Sequence, residues 1–489
     1  MGSRRFKWRR SVYLFGLIVL CFLYSAQAQD PCSGAQRRAL VLSGGGPKGA
    51  FETGAIYHLV VHRNCDFHEF SGSSVGALNA VFLAQAAESS DPAESHTNLT
   101  AQTEGLVSLW QSVKGPRDIM KSRRFATLRF GLFGLENLND FQPLRRLLQA
   151  NISTEKLAKG RPARVGVVSF WDGGYREVLA RPESSPQVGT RFLDYLYASS
   201  VPPLYGKLPR IVDGSLADTP KQWPQFTDGG LRHITPVVSY FKVCKTPMPR
   251  TSDVQSAATD GARNEACSSS RAFVAPPHVP IQQLFVIVTS PYSRDSDLLP
   301  VAGAECCRPG SRQITDGRKI LGRTLVLLDD SSYRWDLDFL RFANDMLRWR
   351  WQAYRDLTLN TSAVQLPEAR RQFLSTTGFV VESYNRDPQD PDAPSLPYDV
   401  GLVAPKKEYA EISHLMAFSP AMTQEQLYCG CVAADRMMQE DFGLSSLSGQ
   451  CANRFPPLPA KTKKPSQVQA ATWKQDTCQE TAELLSQNR

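Results

Sequence analysis

The run Arg38-Ala39-Leu40-Val41-Leu42 is apolar after its first residue and stops at Ser43-Gly44-Gly45-Gly46, which reads as a buried strand closed by a glycine turn. From 50 to 61, Phe51, Gly54, Ala55 and the stretch Tyr57-His58-Leu59 supply the close-packing face of a helix. A short apolar segment at 67–70 leads into Gly72-Ser73-Ser74-Val75-Gly76, and 75–87 is a second, very apolar helical run. Strand, glycine turn, helix, strand, tight turn, helix is the opening of an α/β domain with a mostly parallel sheet. Further strands are expected at 163–170, 283–289 and 324–328. Helices are expected at 192–197, 337–354 and 424–438, the middle one amphipathic through Leu337, Leu340, Ala343, Met346 and Leu347.

Three stretches interrupt these patterns: a polar one at 88–103, one rich in Ser, Ala and Pro at 249–280, and an acidic, Pro-rich one at 385–397. All three read as insertions or connectors. The resulting organisation is a leader at 1–28, one catalytic domain at 36–440 with insertions near 88–160 and 249–280, and a polar tail at 456–489. The leader has a basic start (Arg4, Arg5, Lys7, Arg9, Arg10), an apolar run of about 14 residues, and the small-x-small pattern Ala26-Gln27-Ala28. It reads as an export signal, because the apolar run falls short of the roughly 20 residues that cross a bilayer. A retained anchor is the alternative, and lipid attachment at Cys21 is disfavoured by the bulky Leu20 before it. The protein is therefore expected outside the cytoplasm, periplasmic or secreted, either free or tethered.

The leader also changes the meaning of the charge. Its five basic residues supply much of the net +9, and the remaining +4 on so long a chain does not point to nucleic acid. Of 11 cysteines, ten lie beyond the leader, an even number that suits disulfides in an oxidising compartment. Neither Cys429-Gly430-Cys431 nor Cys306-Cys307 has the spacing of a zinc knuckle, and the chain holds only seven histidines, so no metal site and no cofactor are expected.

Two glycine-framed elements carry the chemistry. Gly44-Gly45-Gly46-Pro47-Lys48-Gly49 sits between a strand and a helix, where glycines can turn backbone amides toward negative charge. A GxGxxG nucleotide loop can be laid on it, but the acidic partner about twenty residues on is missing from a suitable setting, and Gly49-Ala50 is not the ending of a phosphate loop. Gly72-Ser73-Ser74-Val75-Gly76 fits GxSxG in a strand-turn-helix setting, which pushes the Ser74 hydroxyl out of the surface. Together they offer a nucleophile and oxyanion donors for acyl transfer, and a base is still required. Asp228, Asp213 and Asp172 each stand at a glycine turn, and His233 is one of several histidines that could complete a triad.

These elements resemble the patatin-like phospholipase family. The glycine run is similar to its oxyanion segment and Gly72 to Gly76 to its nucleophile elbow. Asp228-Gly229-Gly230, followed by Pro236, is similar to its third motif, and Ala198-Ser199-Ser200 with Pro203 to the stretch upstream of that motif. The resemblance implies a three-layer α/β/α fold with a Ser74–Asp228 dyad. It also implies an oxyanion hole drawn from Gly44, Gly45, Gly46, Lys48 and Gly49, and an elbow framed by Gly72 and Gly76. Lys48 stands where the family commonly carries Arg, and Asp213 competes with Asp228 for the role of base. The implied activity is metal-free hydrolysis of phospholipid or related acyl-lipid esters. An esterase or thioesterase on soluble acyl compounds, a noncatalytic lipid-binding protein and a GxSxG peptidase are the other classes. The segments 106–113, 119–120 and 125–135, apolar with interspersed basic residues, are expected either to cover an acyl groove and touch a membrane transiently or simply to pack on the domain.

Overall fold

The computed structural model describes residues 30–34, 36–122, 138–180, 186–203, 205–211, 224–245, 280–290, 317–362, 364–375, 379–390, 393–405 and 418–457. The leader, most of the expected 249–280 insertion, Asp213, the 125–135 segment and nearly all of the tail lie outside them. No helix among the described residues is long and apolar enough to cross a membrane.

Nine strands matter for the site: β1 (Arg38–Leu42), β2 (Glu69–Ser73), β3 (Ala163–Ser169), β4 (Tyr175–Ala180), β5 (Phe226–Asp228), β6 (Phe241–Lys245), β7 (Gln283–Ile287), β8 (Phe379–Ser383) and β9 (Asp399–Val403). The main sheet runs β9-β7-β1-β2-β3-β4, with β5 also paired to β3. The first five strands of that order are mutually parallel, whereas β4 and β5 are antiparallel to β3. β6 and β8 form a separate antiparallel ribbon.

Both faces of the sheet are covered, which is why β1 and β7 read as unbroken apolar runs rather than alternating ones. On β1, Leu40 and Leu42 enter one core and Ala39 and Val41 the other. On β7, Phe285 and Ile287 divide from Leu284 and Val286 in the same way. Successive side chains of a strand point to opposite faces, so these are two layers of packing on one sheet. The first layer holds α1 (Gly49–Tyr57), α2 (Val75–Ala84), α3 (Pro92–Ser112), α4 (Gln142–Asn151), α5 (Thr154–Lys159), α6 (Pro186–Ser199) and α9 (Pro420–Glu440), with α10 (Ser448–Arg454) beside α9. The second is built on α7 (Gly317–Asn360), with α8 (Leu366–Ser375) packed against it. The expected three-layer α/β/α fold with a mostly parallel sheet is what the chain forms.

Two expected elements change. Residues 324–328 (Thr-Leu-Val-Leu-Leu) were expected as a strand for their β-branched and aliphatic content, but they lie inside the 44-residue α7. The polar stretch 88–103 is largely helical, because Leu99, Thr103 and Leu106 recur at i, i+4 and i+7 and bury one face while the rest stays wet. Of the apolar residues of 106–113, Leu106, Val107, Trp110 and Val113 pack inward and are buried.

The closest helix approach in the first layer is between α1 and α9. A Cβ on Gly54 would fall on the carbonyl of Leu427, and one on Gly430 on the carbonyl of Phe51, so the two backbones touch at a glycine from each side. Gly430→Val must push the helices apart. It is expected to destabilise the protein by about 1–3 kcal/mol or more, as an overpacked core does. Guanidinium unfolding, with an unchanged midpoint counting against the contact, checks this.

Candidate active site

The site lies where β1, β2 and β7 end, at the carboxyl edge at which open α/β sheets bind ligands. β2 runs into Ser74, whose φ of 53° and ψ of −126° are barred to most side chains. This strained elbow is held from three directions. Ser74 N donates to Ser199 Oγ at 3.0 Å, Ser199 Oγ donates to the Gly166 carbonyl at 2.7 Å, and Ser73 Oγ donates to the His233 carbonyl at 2.7 Å. Gly72 and Gly76 make room for the bend, since a side chain on Gly72 would meet the Gly76 backbone and one on Gly76 the carbonyls of Leu42 and Ser43. Ser74 also caps α2, so the helix points its free N-terminal amides at the hydroxyl.

Strand register brings Asp228 to the end of the strand that carries Ser73 into Ser74. β4 occupies one edge of β3 from Ala163 to Val168, and β2 occupies the other edge up to the pair Ser73–Gly166. β5 pairs with Val167 to Ser169, so it continues along the edge that β2 vacates and runs the opposite way, ending at the pair Asp228–Val167. The two strands therefore meet head to head, with Ser73 and Asp228 opposite consecutive residues of β3. Asp228 is mostly buried, and its Oδ1 accepts from Gly230 N at 2.8 Å, which turns the carboxylate back over its own loop. The Ile234 side chain packs against both Gly230 and Gly44, and Gly44 lies against the Ser74 side chain.

The glycine loop is shaped by Gly45 and Gly46, with φ of 151° and 56°. Thr289 Oγ1, just past β7, donates to the Gly44 carbonyl at 2.7 Å, and the Tyr333 hydroxyl from α7 joins it there. In a trans peptide the carbonyl and the next N–H point opposite ways, so fixing the Gly44 oxygen aims the Gly45 amide away from Thr289 and Tyr333. Three of the five expected donors are spent elsewhere. Gly44 N donates to the Ile234 carbonyl at 2.8 Å, Lys48 N to the Gly45 carbonyl at 3.2 Å, and Gly49 N to the Gly46 and Pro47 carbonyls. The Gly45 and Gly46 amides, and that of Val75 at the start of α2, have no partner among the described residues. The Lys48 side chain is buried, with Nζ 3.5 Å from Ser290 Oγ, so it braces the loop from behind.

The side chains of Asp172 and His233 are engaged by other partners. Asp172 sits on the hairpin between β3 and β4, where a hydrogen bond from the Gly174 amide holds its carboxyl below the usual range. His233 Nδ1 lies 2.7 Å from Asp336 Oδ1, and Asp336 Oδ2 accepts from Thr235 N at 2.8 Å. No hydrogen bond joins His233 to Ser74 among the described residues. Thr289, Tyr333 and Asp336 could not be found from local motifs, because each acts through a contact more than 40 residues away in sequence. Ser199 was marked only as part of a motif.

Behind the loop, Glu52 is fully buried with no cation paired to it. Its carboxyl is 3.4 Å from Ser43 Oγ and 2.9 Å from Asn79 Nδ2, and Asn79 Oδ1 accepts from Trp110 Nε1 at 2.9 Å. Burial pushes the Glu52 carboxyl well above the ordinary range, and the hydrogen bonds from Asn79 and Ser43 work against that rise. This chain of side chains ties the start of α1 to α2 and α3.

Residues 40–239 match the model of the patatin-like phospholipase family. Among solved structures the chain is similar to VipD from Legionella pneumophila, with 11% identity and a TM-score of 0.28 over 81% of this chain and 67% of that one. It is also similar to the type III effector protein ExoU, with 13% identity and a TM-score of 0.18 over 92% and 94%. Likenesses at these scores carry no argument. A comparison with curated protein sequences finds no match.

A raised carboxyl pKa makes the folded state resist an ionisation that the unfolded chain undergoes. Stability attributable to Glu52 is therefore complete below its ordinary pKa and is lost as pH rises above it. Glu52→Gln, which keeps the hydrogen-bonding shape, should remove this loss. Its stability relative to the parent is expected to rise with pH by up to about 1.4 kcal/mol per unit above the ordinary range. Urea titrations of both proteins from pH 4 to 9 test this, and parallel profiles would contradict it.

Proposed function

We propose that the patatin-like phospholipase domain formed by residues 40–239 makes this chain a serine acylhydrolase of phospholipids or related lipid esters, with Ser74 as nucleophile and Asp228 as base. The observation that carries this reading is the head-to-head meeting of β2 and β5 on one edge of β3, which brings the elbow serine and the aspartate together. Asp228 accepts the Ser74 proton as Oγ attacks the ester carbonyl. The Gly45, Gly46 and Val75 amides receive the oxyanion, and the same carboxylate then activates water against the acyl-enzyme. An ordinary carboxylate is a modest base for a serine, so the scheme leans on preorganised donors, each worth roughly 3 kcal/mol in comparable chemistry.

Apolar side chains beside the Asp228 loop suit a lipid surface. Leu231 is in that loop and half exposed, and Trp171, at 90% exposure, and Phe170 stand on the hairpin whose Gly173 abuts Arg232. Trp335 is exposed next to Asp336, which holds His233. Exposed aromatic residues beside a cation fit the boundary of a bilayer, where rings lie among headgroups. In this reading the exported chain meets its substrate at a membrane and needs no cofactor.

A His233–Asp336 pair is also how the histidine of a three-member triad is held, and this specific contact supports a second reading in which His233 is the base. Hydrolysis of defined phospholipid vesicles, with fatty acid and lysolipid read by mass, separates the possibilities. Ser74→Ala is expected to lose at least about 10³-fold in kcat, and Asp228→Asn about 10²- to 10⁴-fold, with His233→Gln retaining most activity. Loss in His233→Gln with activity kept in Asp228→Asn would replace the dyad by the triad. No hydrolysis of vesicles or of soluble p-nitrophenyl esters would leave a lipid-binding protein.

Trp171→Asp tests the membrane contact by itself. Hydrolysis of vesicles should fall while hydrolysis of a monomeric short-chain ester stays the same, and an equal rate on both would remove Trp171 from the contact. A preference for short, soluble esters in the parent would favour the esterase class.

A further inference from the structure

At the far end of α1 the helix widens: Arg63 N bonds to the His58 carbonyl, five residues back, and His58–His62 forms a single π-helical turn. Such turns gather at functional sites more often than elsewhere in helices. Here the turn sets the His58 and His62 Nδ1 atoms 3.2 Å apart, on the side facing α9 and α10. Cys431 Sγ lies 3.8 Å from His58 Nδ1 and 3.9 Å from His62 Nδ1, and Cys451 Sγ 3.6 Å from His58 Nδ1. All four atoms fall within 4.8 Å of one another. Zinc bonds of about 2.0–2.1 Å to nitrogen and 2.3 Å to sulfur give a tetrahedron with N–N edges of about 3.3 Å and N–S edges of about 3.6 Å. The spacing of the histidine nitrogens, of Cys431 Sγ from both of them and of Cys451 Sγ from His58 Nδ1 is close to that figure.

In the structure Cys431 and Cys451 are joined as a disulfide. A disulfide sulfur is a weak acceptor and gives no reason for two imidazole nitrogens to converge on it. Asp435 supplies the outer contact that metal-bound histidines commonly have. Its Oδ1 is 3.4 Å from His58 Nε2, and the carboxylate is itself fixed by Arg63 Nη2 at 2.8 Å, Leu447 N at 2.9 Å and Ser446 Oγ at 2.8 Å. Arg63 Nε also approaches His58 Nε2, at 3.3 Å, but only the carboxylate can receive the N–H that His58 carries there once Nδ1 binds a metal. His58, Cys431 and Cys451 are fully buried or nearly so, and His62 is the partly exposed member through which an ion would enter.

We propose that His58, His62, Cys431 and Cys451 form a His₂Cys₂ site for a divalent zinc-class cation, which alternates with the Cys431–Cys451 disulfide for the same two sulfurs. A dithiol reductant opens the disulfide, giving two thiols and the oxidised, cyclic disulfide of the reductant. The cation then binds both thiolates and both Nδ1 atoms, and two protons leave. The sequence argument against a metal rested on the absence of CxxC pairs. The fold supplies instead an H-x₃-H pair on one helix and two cysteines 20 residues apart on two others.

Co²⁺ titration of the full chain tests this, after reduction with a dithiol and its removal under argon. One equivalent is expected to give the visible bands of a tetrahedral ion and a thiolate-to-cobalt charge-transfer band, both erased by one equivalent of Zn²⁺. The oxidised protein and Cys451→Ser should not give this spectrum. His62→Ala, at the partly exposed position and least disruptive to folding, should bind at least tenfold more weakly, and Asp435→Asn about 10- to 100-fold more weakly. The proposal is overturned if reduced protein with an unchanged far-ultraviolet spectrum gives no tetrahedral Co²⁺ signal, or if His62→Ala leaves that signal and its affinity unchanged.

Discussion

The site depends on one edge of β3 being shared by two strands. β2 and β5 approach each other along it and stop opposite consecutive residues, Ser73 facing Gly166 and Asp228 facing Val167. The shared edge leaves little space, and Gly166, opposite Ser73, relieves the crowding. The Tyr175 hydroxyl and Ser73 Oγ close on the place where its side chain would be, while its carbonyl takes the Ser199 hydroxyl and backs onto Gly229. A non-glycine residue at positive φ costs on the order of 1–3 kcal/mol. At Ser74 that cost is offset by the Ser199 bond to its amide and by the α2 packing that begins one residue later.

The family match ends at residue 239, yet the loop it includes is finished by residues beyond it. Thr289 and Tyr333 hold the Gly44 carbonyl, Ser290 meets Lys48, and Asp336 holds both His233 and the Thr235 amide. β7 places the first of these because its parallel register with β1 carries Thr289 to the level of the glycine loop, where Thr289 N donates to Ser43 Oγ at 3.0 Å. α7 supplies the rest from the opposite layer. Burial of Asp336 raises its carboxyl above the usual range while the bond to His233 works against that rise, so this contact is itself a compromise between desolvation and pairing.

What was legible in the sequence follows the range of the forces involved. The tight turns at the glycine run, at Ser74 and after Asp228 could be read because each is a local backbone solution, with small residues framing the bend. Which amides remain free could not be read, since Gly44 spends its N–H on Ile234 about 190 residues away. The strand expected at 324–328 failed because a threonine and four apolar residues, two of the five β-branched, fit either element, and a 44-residue helical context decided it. The polar 88–103 segment failed in the other direction. Its buried face is thin, and within it Ser95, Leu99 and Thr103, of which Leu99 alone is apolar, mark the side that α3 turns to the core.

α1 links the two sites discussed above. It starts at the glycine loop, carries the buried Glu52 on its first turn, meets α9 backbone to backbone at Gly54, and runs directly into the His58–His62 turn. At 1.5 Å per residue the distance from Gly49 to His58 is roughly 14 Å. A helix so short and so completely buried cannot bend between fixed ends, so its position must satisfy both. Packed interiors transmit small displacements rather than absorb them. α9, which carries Cys431, meets α1 backbone to backbone at Gly54 and Gly430, and α1 begins where the glycine loop ends, so one buried helix is packed against both regions.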